Sequence, residues 1–92
     1  MSVATARHIL VKTKEEAEGI KKQIENGADF SELAQKLSKC PSGRDGGNLG
    51  SFAPGQMVKE FDQVVFNEEV NKVHGPVQTQ FGFHLIEITG RD

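Results

Sequence analysis

Two apolar stretches at opposite ends of the chain, each led by a histidine, constrain the fold most tightly. One is Arg7-His8-Ile9-Leu10-Val11 and the other Phe83-His84-Leu85-Ile86-Glu87-Ile88. Both have the β-branched and apolar content of strands packed on two faces. Two such strands in a short chain belong side by side in one sheet, which brings His8 toward His84. The second also closes a hairpin. A strand from Val73 leads into a short Thr-Gln-Phe-Gly loop, where Gly82 supplies the φ > 0 conformation of a tight or bulged turn. The rest of the chain has to fold over this sheet.

Between the two strands the signals alternate. Ala4 to Lys12 reads as the first strand, with Ala6, His8 and Leu10 on one face and Arg7, Ile9 and Val11 on the other. Thr13 and Glu16 form a capping pair ahead of a helix whose Ala17, Ile20 and Ile24 share a face, and Gly27 ends it. Asp29 caps a second helix carrying Phe30, Leu33, Ala34 and Leu37 at helical spacing. A glycine-rich connector, Cys40 to Gly50, has neither the Gly-Lys-Ser/Thr of a P-loop nor a G-x-G-x-x-G, so it reads as tight turns rather than a phosphate cradle. Leu49 to Ala53 is a short strand. A helix opens at Met57 or Val58 and lines one side with Val58, Phe61, Val64 and Val65. The order βααβαββ predicts an α+β domain over residues 1–92, a four-stranded antiparallel sheet covered by helices.

A chain of 92 residues with 36% hydrophobic and 26% charged residues is ordinary for one globular domain. Its net charge of −2 gives no basic footprint for nucleic acid or an anionic membrane, and no run approaches a membrane span. One cysteine permits no internal disulfide, and the N-terminal stretch lacks the basic and apolar regions of a signal peptide, so a cytoplasmic protein is expected.

Chemistry has few candidates. His8, Cys40, Thr79 and His84 are polar or reactive groups set among apolar ones, while His74 reads as surface in a polar loop. Individually each has a bland explanation, since strand histidines are usually hydrogen-bonded structural residues and a lone cysteine a small hydrophobe. No C-x-x-C or H-x-x-x-H spacing supports a metal site, and none is expected. A Cys-His hydrolase with Cys40 as nucleophile lacks an orienting third group.

The motifs His8-Ile9-Leu10-Val11-Lys12, Gly27-Ala28-Asp29-Phe30, Cys40-Pro41-Ser42-Gly43, Gly46-Gly47-Asn48-Leu49-Gly50, Gly55-Gln56-Met57-Val58, Phe61, Gly75-Pro76-Val77 and Thr79-Gln80-Phe81-Gly82-Phe83-His84 occur in this order. In them the chain resembles the parvulin family of peptidyl-prolyl cis–trans isomerases, in its minimal stand-alone bacterial form. The resemblance implies the β-α3-β-α-β2 arrangement, with one short helical turn after Cys40 beyond the elements read above. It implies that His8 and His84 are paired beneath the site, that Cys40 lies beside the substrate carbonyl and that Thr79 hydrogen-bonds within this cluster. Met57 and Phe61 are implied to hold the prolyl ring with Leu49 beside them, and Phe81 stands at the rim where other parvulins carry a small polar residue.

The implied activity is isomerisation of X–Pro bonds in peptides and unfolded or nascent chains, without a cofactor. A non-catalytic peptide-binding or chaperone module on the same fold is the alternative. Met57 and Phe61 are expected in an exposed apolar groove of a monomer. No preference for phosphorylated Ser/Thr-Pro is expected, because no basic pair follows the first strand and Asp45 blunts Arg44.

Overall fold

The computed structural model describes residues 3–92, and among these the chain forms a four-stranded antiparallel sheet with helices on both faces. The elements are β1 (Ala4–Val11), α1 (Lys14–Glu25), α2 (Phe30–Leu37), a 3-10 turn (Pro41–Asp45), β2 (Asn48–Phe52), α3 (Lys59–Val65), β3 (Val73–Thr79) and β4 (Gly82–Arg91). In the sheet the order is β2-β1-β4-β3. The two histidine-led strands are therefore the central pair, as their apolar content on both faces predicts.

Register turns this pairing into a site. Leu10 lies opposite His84 and His8 opposite Ile86, so His8 and His84 sit one step apart on the same face of neighbouring strands. The period of two then sorts the core into two halves. Ile9, Val11 and Leu85 point to one face, where Ala17 and Ile20 of α1 and Phe30 and Ala34 of α2 cover them. Ala6 and Ile86 point to the other, with Phe52, Phe61 and Val65. The histidines share this second face.

Local chemistry fixes the helix ends. Thr13 accepts from the Glu16 N–H to start α1, and Asp29 accepts from the Glu32 N–H to start α2. The second half of the chain departs slightly from expectation. β2 begins at Asn48 and ends at Phe52, and α3 begins at Lys59 because Val58, with extended backbone, is its N-cap. His74 is half-buried within β3, opposite Ile86, with its Nε2 2.8 Å from the Glu69 carbonyl. The loop assignment for His74 fails because the strand expected from Val73 already includes it and half-buries it. Leu37, expected on the apolar stripe of α2, is 40% exposed at the helix's last turn, where the sheet no longer reaches it.

The glycine-rich connector returns the chain to β1 by close backbone contact. Gly47, at φ 84°, accepts a hydrogen bond at its carbonyl from the His8 N–H at 2.9 Å. A Cβ there would stand 2.2 Å from the His8 carbonyl oxygen. Gly47 is thus required both by its conformation and by the space it vacates over β1.

Replacing it gives a test of how firmly the connector holds the site. Gly47→Ala is expected to cost at least about 2 kcal/mol and to lower Tm by roughly 10 °C. Thermal unfolding followed by circular dichroism reads this directly. A change of under about 2 °C would mean that the connector is not pressed against His8.

Candidate active site

The site is assembled from the middle of the sheet outward. His8 of β1 and His84 of β4 meet with their Nδ1 atoms 3.0 Å apart. Their rings are nearly parallel, 14° apart, and both are buried, at 6% and 4% exposure. Beyond His84, its Nε2 is 2.7 Å from Thr79 Oγ1, which also accepts from the Phe81 N–H. Beyond His8, its Nε2 is 3.1 Å from Ser42 Oγ, and the Ser42 hydroxyl donates to Cys40 Sγ at 3.3 Å. A hydrogen-bonded line thus runs from the β3–β4 turn, through both histidines, to the thiol.

Once Ser42 donates to Cys40, proton counting gives this line one direction. Ser42 has a single hydroxyl proton, and with that proton on Cys40, His8 Nε2 donates to Ser42. A neutral His8 then has a bare Nδ1, which accepts from the Nδ1–H of His84. The bare Nε2 of His84 in turn accepts from the Thr79 hydroxyl. Every polar atom in the line is satisfied with both imidazoles neutral.

Electrostatics agree. Burial, and secondarily the proximity of His84, push His8 from 6.5 down to about 4. Burial also holds His84 below the ordinary histidine range, although the Glu60 carboxylate pulls the other way. A proton added here would sit as a charge against Phe61, whose ring meets both imidazoles edge-on at 5.6 and 6.1 Å. A second would set N–H against N–H across the 3.0 Å gap.

Above the histidines lies an open cavity of about 400 Å³. Leu49, Met57, Val58 and Phe61 wall one end, His8, His84 and Cys40 lie in the middle, and Leu10, Lys39, Pro41 and Phe81 complete it. Every site residue expected from the sequence lines this cavity except Thr79, which is buried behind it and supports His84. Phe81 is 62% exposed at the rim, held by a two-residue turn whose N–H is tied to Thr79.

Phe61 corrects the expectation of an exposed groove residue. It is 3% exposed and packs edge-on against Phe52, 6.1 Å between ring centroids. The single turn of α3 that aims Phe61 at the pocket also aims it at the core, so truncation removes both at once. Met57 and Leu49 are half-buried and are the true accessible walls.

Ser42 was missed by sequence reasoning, although it lies two residues from Cys40 within a quoted motif. Its role depends on the 3-10 turn, which folds the hydroxyl back over Cys40 and against β1. Leu10 was missed too, although its place on the same strand face as His8 was the signal that could have found it. The hydrolase reading loses its geometry here. Among the described hydrogen bonds Cys40 Sγ is contacted by the Ser42 hydroxyl and by neither imidazole.

Paired, buried histidines under an apolar cavity on an α+β sheet are the defining features of this domain. Comparison with known proteins carries this further. The model of the PPIC-type PPIASE domain matches residues 2–92. The foldase protein PrsA of Geobacillus kaustophilus is 43% identical over 88 residues, covering 95% of this chain and 31% of that protein. The crystal structure of the peptidylprolyl isomerase PrsA from Bacillus anthracis superposes with a TM-score of 0.96 at 38% identity, covering 99% of this chain and 42% of that one. NmPin, the parvulin of Nitrosopumilus maritimus, superposes with a TM-score of 0.88 at 36% identity, covering 98% of each chain. The chain belongs to the PPIC-type, or parvulin, family of peptidyl-prolyl isomerases. It spans about a third of the length of the curated relatives it matches.

The neutral pair has a consequence for stability. Because the folded pKa of His8 is about 4 and the ordinary value 6.5, the unfolded chain binds the proton first as pH falls. The stability contributed by neutral His8 is complete above pH 6.5 and is lost on acidification through about pH 4. Between pH 7.5 and 5 this amounts to about 2 kcal/mol. Denaturant unfolding at the two pH values should show that loss, and His8→Asn should remove most of it. An unchanged pH slope in the variant would contradict a buried neutral His8.

Proposed function

We propose that this domain accelerates rotation about X–Pro bonds in peptides and unfolded protein chains by a non-covalent mechanism. The observation that carries the mechanism is the neutral, fully satisfied histidine line beneath an apolar pocket. A site built for proton transfer or nucleophilic attack would place a base on the thiol, and Ser42 stands between.

The chemistry asks little of the protein. The barrier of about 18–20 kcal/mol is amide resonance, and twisting the bond localises the nitrogen lone pair and reduces charge separation between oxygen and nitrogen. Surroundings of low polarity therefore favour the twisted state over the planar one. A ring seated among Leu49, Met57 and Phe61 would leave its preceding carbonyl over the histidines and beside Cys40. Desolvation and orientation together need to supply only about 4 kcal/mol for a thousandfold acceleration. The histidines hold the floor rigid, and Cys40, whose sulfur already accepts from Ser42, offers its own weak S–H to the substrate.

The same reading makes the domain indifferent to phosphate as such. It also makes the domain active as a monomer, in the cytoplasm, supported by a cavity complete within one chain and a single half-buried thiol. Sedimentation at assay concentration checks the monomer, and cell fractionation checks the compartment.

Exchange spectroscopy on a Leu-Pro peptide tests the proposal. Wild-type protein should raise the cis–trans rate catalytically. Cys40→Ser and Cys40→Ala should keep activity within about tenfold of wild type, the worth of one weak hydrogen bond. A folded Cys40→Ser protein with activity abolished, or a trapped adduct at the thiol, would replace this mechanism with a covalent one. Tight peptide binding without turnover would support the chaperone module instead.

A further inference from the structure

The cavity extends well past the space a prolyl ring needs. Along the face of β1 the side chains run Ala6, His8, Leu10, and the surroundings change with them. Around Ala6 lie the aromatic rings of Phe52 and Phe61. Leu10, at the other end, has the Lys39 N–H on its carbonyl at 2.7 Å, and its Cδ1 lies 3.2 Å from where a Cβ on Gly82 would stand, next to Phe81. Leu10, Lys39, Pro41 and Phe81 thus line the cavity toward the end of β1 away from Ala6, a stretch we call its second lobe.

Charge gives this lobe a character. Among the described residues lining the cavity, Lys39 alone carries a formal charge. It is exposed, and neither of the ion pairs among the described residues, Arg7–Glu87 and Lys72–Glu69, involves it. Near the ring slot the neighbouring Lys59 and Glu60 offset each other at the adjoining small cavity. Among the described residues the groove therefore has one cation outside any ion pair, at the Leu10 end.

We propose that this lobe receives the side chain immediately preceding the proline and that Lys39 makes it favour a carboxylate there, glutamate above all. The inference rests on the isomerase reading and names its substrate class. With the ring among Leu49, Met57 and Phe61, the X–Pro carbonyl lies beside Cys40, and Lys39 is the next residue in the chain. The preceding side chain then leaves the backbone toward Leu10 and Phe81. The two methylenes of glutamate cover those apolar walls, and its carboxylate meets the ammonium at the mouth. A lysine in that position sets like charges together. Lys39 is a single compact cation and not a guanidinium fork, so it reads charge without reading phosphate geometry.

The test is a panel of matched peptides with Glu, Gln, Leu, Lys or phosphoserine before proline, plus a Pro-Glu control, assayed by exchange spectroscopy at low salt. Glu-Pro should exceed Gln-Pro about threefold to fivefold in kcat/KM, the effect of one exposed ion pair, and about 0.5 M salt should erase the difference. Lys39→Glu should invert the order, favouring Lys-Pro over Glu-Pro. Phosphoserine should stay within about threefold of glutamate. A Glu/Gln ratio near one, an order unmoved by Lys39→Glu, or a preference that follows Pro-Glu would overturn the proposal while leaving isomerase activity standing. Phosphoserine turned over tenfold faster than glutamate would overturn Lys39 as the residue that reads charge and bring Arg44 or Lys12 into the site. Absence of turnover on every peptide would remove the isomerase reading and this one with it.

Discussion

The contact on which the rest depends is the hydrogen bond between two neutral imidazoles on adjacent central strands. His8 and His84 can meet at 3.0 Å only because β1 and β4 are neighbours in one register. A slip of one residue would turn either ring to the opposite face, into the packing of α1 and α2. The sheet is therefore tied to the site more closely than a scaffold usually is. Burial keeps the rings neutral, neutrality fixes their tautomers, and the tautomers orient Ser42 and Thr79 at the two ends. Through these the 3-10 turn holds Cys40 and the β3–β4 turn holds Phe81, which are opposite banks of the cavity.

This arrangement explains why so much polar material lies beneath an apolar pocket. Buried polar groups are costly unless fully paired. Here every one in the line has a partner, so the floor is rigid and presents little unsatisfied polarity to a substrate. Phe61 seals it from the side. The same ring belongs to the core cluster with Phe52 and Val65, so pocket shape and domain stability are coupled through one residue.

Much of the fold was legible because its signals are local or periodic. Both helix caps, Thr13 and Asp29, and the glycine at the hairpin turn follow from residue type alone. The pairing of the histidine strands followed from their apolar content on two faces. The resemblance supplied what periodicity could not, including the turn after Cys40 and the places of Leu49 and Phe81 on the cavity. What stayed hidden depends on contacts between distant segments. Ser42 is ordinary until a 3-10 turn places its hydroxyl between Cys40 and His8. Phe61 reads as a pocket residue or a core residue with equal ease, and it is both. His74 read as loop surface from its polar neighbours, although the strand legible from Val73 takes it in.

The central claim is that the histidine pair is neutral and its hydrogen bonds run in one direction. Long-range nitrogen–proton correlation spectroscopy of the imidazoles at about pH 6.5 measures this most directly, since it separates the two tautomers from each other and from imidazolium. The account requires His84 as the Nδ1–H tautomer and His8 as the Nε2–H tautomer, both uncharged. An imidazolium signature on either ring, or an Nδ1–H on His8, would contradict it.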